Sequence, residues 1–227
     1  VEQGIILEDD TLPDLSFFTF CEQLLNYYKD EERVMHITGT SLTDDRLVGE
    51  ADYFISKWPC IWGWATWSTA WKKYDFLLKN INYPELSRIF NFYQLDKKEI
   101  KFWSNIFNDM KHYKIDTWDL QWTLSILNSQ AYSIIPQKNL ISNIGFGENA
   151  THTIQTNSQL ANRNIEKIKV KKFIPKNIIE ITDKKADKLI SNYFNPSEPT
   201  LSYIKNKILY YTPSPIRKFF KKLLLKL

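Results

Sequence analysis

Gly4-Ile5-Ile6-Leu7-Glu8-Asp9-Asp10 decides the reading of this chain: four residues, three of them apolar, run straight into three adjacent carboxylates. Such a run predicts a buried strand that delivers acids at its C-terminal end. Strand ends of that kind are where open α/β sheets bind ligands. After Pro13, residues Phe17, Phe20, Cys21, Leu24 and Tyr28 recur at helical spacing, which predicts a crossover helix of about three turns. Val34 to Thr38 then reads as a strand closed by Gly39. The whole predicts a β-α-β unit with two successive parallel strands, a right-handed crossover and an acidic first turn. The fold class expected is α/β.

Outward from this unit, Tyr53 to Ser56 reads as a short strand, and Trp64, Trp67, Trp71 and Tyr74 mark one helical face beginning near Gly63. Two helices are expected between Pro84 and Tyr113, the second with Ile100, Trp103, Phe107 and Met110 along one face. Asp119 to Leu127 predicts a helix with Asp119 as its N-cap. A strand runs through Tyr132 and Ile134 to Pro136, and the stretch from Asn139 to Thr153, with Gly145 and Gly147, reads as a loop. Helices are also expected over 183–194 and 200–211.

The 227 residues are 43% hydrophobic, 25% charged and 15% aromatic, a balance that excludes disordered, collagenous and coiled-coil classes. Residues 163–227 carry 16 Lys/Arg against 5 Asp/Glu, so the rest of the chain is net acidic although the total is +4. An acidic front half disfavours nucleic acid as a partner. Two cysteines are too few to staple a chain of this length, and a reducing compartment fits. No apolar run reaches the roughly 18 residues of a membrane span. The last stretch, Pro215 to Leu227, reads as a basic amphipathic helix that would dock either on the protein's own core or, as its dense charge favours, on an anionic membrane surface, which would place the protein at the inner face of the plasma membrane through residues 213–227.

Several groups can carry chemistry. Glu8 and Asp10, two apart on a strand, face one way while Asp9 faces the other. Hard oxygen ligands of this type suit Mg²⁺ or Mn²⁺, which keep positions for phosphate oxygens; the bland alternative is a solvated acidic turn. Four tryptophans fall within residues 58–67. Most are core by their spacing, yet Gly63 between Trp62 and Trp64 gives backbone access beside flat indole faces on which the C–H faces of sugars pack. Asp119 is either a helix cap or a general base. His152 follows a glycine loop able to fold over a ligand, whereas His36 reads as structural.

The ordered series ILEDD, VMHITG, YFISKWPCIWGWATW, TWDLQW and NLISNIGFGENATHT, within residues 1–153, resembles bacterial GT-A-type glycosyltransferases of the nucleotide-diphospho-sugar transferase, hemolytic-protein-like group. The resemblance implies a partial, Rossmann-like GT-A domain over 1–156 and a basic, mostly helical extension over 157–227. It further implies transfer of a sugar from a nucleotide-diphosphate donor to a cell-envelope glycan or lipid-linked acceptor, with inversion. By that likeness Glu8, Asp10 and His152 hold Mn²⁺ or Mg²⁺, and Asp119 is the catalytic base. Asp9, Asn143, Gly145 and Glu148 lie by the donor, and Trp62, Gly63, Trp64 and Trp118 by the acceptor. In that family, strands before the acidic motif bind the nucleotide over about 80–100 residues. Here Glu8 is the eighth residue and no initiator Met is present, so a truncated front end is expected. The competing expectations are a membrane-docked module without catalysis and a metal-dependent nucleotidyltransferase; the latter would be expected to show a phosphate-binding glycine loop or a second acidic cluster, and the sequence shows neither.

Overall fold

The computed structural model describes residues 1–43, 51–113, 115, 117–145 and 163–194. Strand β1 (Gln3–Ile6) ends in a turn where Thr11 donates both its N–H and its hydroxyl to the Glu8 carbonyl. Strand β2 (Thr11–Pro13) leads into α1 (Leu15–Tyr28), capped by Asp14, whose carboxylate accepts the Ser16 N–H at 2.8 Å. The helix buries Phe17, Phe20, Cys21, Leu24 and Tyr28, the residues whose spacing predicts it. In order follow β3 (Val34–Thr38), β4 (Tyr53–Ser56), β5 (Trp64–Trp67), α2 (Ser68–Trp71), α3 (Tyr83–Phe92), α4 (Lys97–Lys111), α5 (Asp119–Asn128), β6 (Tyr132–Pro136), β7 (Ile141–Asn143) and α6 (Lys184–Phe194).

The fold is mixed α/β. Its main sheet has the order β1-β5-β3-β6-β4, with β3 and β6 parallel and the other neighbours antiparallel. Strands β1 and β3 therefore run the same way, but they are not adjacent, because β5 lies antiparallel between them. They are the two successive parallel strands that the sequence predicts, with an antiparallel strand inserted between them that the sequence does not announce. As an edge strand β1 is also half-exposed rather than buried. The helical face expected from Trp64 is strand as far as Trp67, and only Ser68–Trp71 is helical. All four residues of β5 are buried, so both of its faces are covered, and a strand of that kind loses its period-two signature.

Two further corrections bear on the site. Residues 141–143 are not loop but strand β7, paired with β2 in the register Thr11↔Asn143. At the start of α5 the N-cap position is Trp118, and Asp119 is the first helical residue. A carboxylate there still meets the positive end of the helix favourably.

Residues 163–194 strap across the sheet. Val170, Ile179, Ala186 and Ile190 are buried in the same core as the strands. Tyr28 spends its proton on the Ile174 carbonyl (2.8 Å), so Tyr53 donates to Tyr28, while the Ile174 N–H donates to Tyr53 (2.7 Å). The Asp183 N–H bonds the Ile55 carbonyl of β4, and Asp187 accepts from the Ser56 hydroxyl and the Lys57 N–H. An edge strand that exposes ladder groups invites association, and this strap occupies that edge of β4. Beneath it, Lys57 and Glu99 form a buried ion pair of 3.2 Å, and Glu99 also completes a capping box with Asp96 at the start of α4. Cys21 and Cys60 are buried free thiols. Among the described residues no helix is long and apolar enough to cross a membrane. The expected helix at 200–211 and the basic segment 213–227 lie outside the described residues.

Candidate functional site

Where β1 ends, three distant pieces of sequence meet. The pairing of β2 with β7, extended by an Ile144 N–H to Asp10 carbonyl bond of 2.8 Å, brings Asn143-Ile144-Gly145 against the acids. Asn143 is buried and accepts the Gly145 N–H at 2.8 Å, which fixes the turn. Gly145 packs so tightly on the Asp10 carboxylate that a Cβ there would collide with it. Gly63 adopts φ +64°, and a Cβ on it would lie 2.5 Å from Ile141 Cδ1 and 3.3 Å from Leu7 Cδ2. The Trp62-Gly63-Trp64 segment thus rests on the residue that precedes Glu8. Gly63 also holds the end of β3 in place, its carbonyl accepting the Gly39 N–H at 2.8 Å.

Asp119 joins this group from α5. It acts on Glu8 electrostatically, and its carboxylate accepts the Thr117 hydroxyl. Burial first, then the charges of Asp10, Asp119 and Asp9, push the Glu8 carboxyl up to about 7. Oδ1 of Asp10 is buried and has no hydrogen-bond partner among the described residues. Three carboxylates gathered this way, one with an orphaned oxygen, are costly unless a cation or donors compensate. Glu8 and Asp10 offer hard oxygen donors of the kind a divalent ion takes, and among the described residues no three His, Cys, Asp or Glu side chains are placed to hold a metal. His152 and Glu148 lie outside the described residues. Asp9 is exposed; it stands with Asp10 in the turn after β1, which ends at Ile6, so the strand alternation expected of the three acids does not apply.

The aromatic side of the site differs from the expectation. Trp64 is only 2% exposed, so it is core and offers no open face to an acceptor. It stacks on His36 at 5.1 Å and on Trp118 at 5.7 Å. Trp62 and Trp118 are half-buried against the core; the Trp62 carbonyl accepts the Thr40 hydroxyl at 2.6 Å. His36 is structural: Nε2 lies 2.9 Å from the Cys60 carbonyl, which can only accept, and Nδ1 receives the Trp122 indole N–H at 3.2 Å. The ring is therefore neutral, and burial pulls its pKa down to about 4. Tyr74 is the participant that sequence reasoning left in a core face. Its hydroxyl donates to the Trp118 carbonyl at 3.2 Å, and its pKa is raised by burial and by Asp119. The i, i+3 spacing that joins it to Trp71 gives no hint that its hydroxyl bonds the backbone next to Asp119.

No protein-family model matches the chain, and no curated protein matches it either.

Proposed function

We propose that this chain carries the catalytic and acceptor part of a metal-dependent glycosyltransferase of GT-A type, moving a sugar from a nucleotide-diphosphate donor to an envelope glycan or lipid-linked acceptor. The observation that carries the reading is the convergence of Glu8, Asp10 and Asp119 on one place, with an uncompensated carboxylate oxygen, beside Gly145 and the Trp62–Trp64 segment. The motifs behind the family resemblance are far apart in sequence, and Glu8 with Asp10, Gly39, Gly63, Asp119 and Asn143 to Gly145, one part of each, come together at this end of β1, whereas Tyr53–Ser56 lies at the opposite edge of the sheet. The mixed sheet, with acids at the end of an edge strand, agrees with that fold.

Glu8 and Asp10 would hold Mn²⁺ or Mg²⁺, an ion that neutralises charge on a departing diphosphate when bound. Gly145 lets the backbone come close to Asp10, as a side chain there would not. Asp119, steadied by the Thr117 hydroxyl, takes the proton of the acceptor hydroxyl as that oxygen attacks the sugar carbon. A single displacement of this kind inverts the anomeric centre. The basic segment 213–227 would bring the site to an anionic membrane surface.

The test is binding of UDP and GDP by the full chain with and without Mn²⁺, together with Mn²⁺ alone followed by electron paramagnetic resonance. Mn²⁺ binding that the diphosphate of the nucleotide tightens, and that is lost in Asp10→Ala, is the expected result. Mn²⁺ affinity that ignores both the nucleotide and that substitution overturns the proposal.

A further inference from the structure

Beyond Asp119 the protein presents aromatic surface that the core does not use. Trp71, at the end of α2, touches Tyr74 (4.6 Å, stacked), Trp122 (5.1 Å) and Trp64 (5.9 Å), and still leaves 41% of its surface open. Phe76 lies 6.5 Å from Tyr74 and is 57% exposed, and Leu77 beside it is exposed as well. Single exposed apolar residues need no explanation, but contiguous ones mark interaction sites. Tyr74 lies between the other two rings, stacked face to face on Trp71 at 15° and tilted 59° to Phe76, and its hydroxyl donates to the Trp118 carbonyl next to Asp119.

This stretch is also held rigidly. The Asp75 N–H donates to the Ser125 hydroxyl at 3.1 Å, and the Asp75 carboxylate accepts the Asn80 N–H at 2.8 Å. Lys111 donates to the Leu78 carbonyl, and Leu78 is buried beneath the turn. A prearranged aromatic surface that ends at a carboxylate suits a ligand with an apolar face and hydroxyls along its rim. An anionic lipid would meet the wrong charge at Asp119, and a pyranose ring meets both requirements.

We infer that the exposed surfaces of Trp71 and Phe76, on either side of Tyr74, form a saccharide-binding shelf that receives pyranose units of the acceptor glycan beside Asp119. That the sugar is the acceptor rests on the glycosyl-transfer reading, whereas the sugar contact itself does not. Trp71 takes the role that sequence reasoning gave Trp64.

Saturation-transfer NMR and calorimetry on the full chain with cellotetraose, chitotetraose and maltotetraose test it. At least one of these binds, with its ring C–H protons most strongly saturated. Trp71→Ala weakens that binding about tenfold, the upper range for ring stacking. Trp71→Tyr and wild type differ by much less, and Phe76→Ala weakens binding without disturbing the fold, which guards against a Trp71→Ala chain that fails to fold. If no oligosaccharide binds, or binding is indifferent to Trp71 and Phe76, the shelf is refuted. It is equally refuted if those substitutions instead reduce pelleting with phosphatidylglycerol vesicles. Mn²⁺ binding that persists alongside such a failure leaves the transferase reading intact. Sugar binding through Trp71 without Mn²⁺ binding that nucleotide tightens removes that reading and keeps the shelf.

Discussion

Replacing Gly63 with Ala tests how the site is held together. The backbone at Gly63 is left-handed, at φ +64°, a conformation that costs an L-residue ~1–2 kcal/mol. The new methyl would stand 2.5 Å from Ile141 Cδ1 and 2.8 Å from its Cγ1. Ile141 cannot withdraw, because a point 2.6 Å from its Cγ1 is where a Cβ on Gly39 would lie, so two glycines already enclose it. Overpacking of a tight core adds roughly 1–3 kcal/mol. The expected loss is therefore roughly 2–5 kcal/mol, read as a drop in the urea midpoint with an unchanged m-value. Gly4→Ala is the internal control, since a Cβ there meets nothing within 4 Å, and it should be neutral or slightly stabilising. Should Gly63→Ala fold with less than about 1 kcal/mol lost, within the ordinary range for a surface change, the argument from backbone hand and close approach is wrong.

Removing one charge of the buried pair should cost more than removing both. Lys57→Met leaves Glu99 buried without its cation and is expected to lose ~3–5 kcal/mol, whereas Lys57→Met with Glu99→Gln keeps the capping box and recovers part of that loss in urea denaturation. His36 makes stability depend on acid. Its pKa is about 4 in the fold against about 6.5 when exposed, so the unfolded chain binds the extra proton between those values. The contribution, ~3 kcal/mol, is whole above pH 6.5 and is lost as pH falls through 4; unfolding free energies of His36→Phe should show a flatter slope across that window. Glu8 behaves in the opposite sense: its raised carboxyl stabilises below about 4.5 and that contribution disappears as pH rises through 7. Its ¹³C resonance should titrate near pH 7 in metal-free protein and at lower pH with Mg²⁺, and a midpoint indifferent to Mg²⁺ would count against a cation at these acids.

Strand and helix positions were legible wherever one period dominated. The face Phe17, Phe20, Cys21, Leu24, Tyr28 foretold α1, and Trp103, Phe107 and Met110 foretold the buried side of α4, although Ile100, expected on the same face, is exposed. What periodicity does not carry is the partner of a strand. Nothing in Trp64-Ala-Thr-Trp67 says that it lies between β1 and β3, and the i, i+3 spacing of its tryptophans imitates a helix. The acids stood out by position, directly after an apolar run. Their proximity to Asp119 and Gly145 did not, since that depends on the two-stranded pairing of β2 with β7, three residues long on each side. The strap was hidden by its own composition: its many lysines mask Val170, Ile179, Ala186 and Ile190, which are buried, and Ile168, Phe173, Ile174 and Leu189, which pack on the core half-buried, and up to the start of α6 these share no single period.

The insertion of β6 between β3 and β4 has a consequence for biosynthesis. As the nascent chain leaves the ribosome, β4 emerges well before its only sheet neighbour, β6, and the residues that close its other side come later still. The sheet cannot zip up in the order in which it is translated. An unpaired apolar ribbon, Tyr53-Phe54-Ile55, must be shielded throughout that interval, which makes chaperone supply rather than intrinsic folding speed the expected bottleneck for production of this protein.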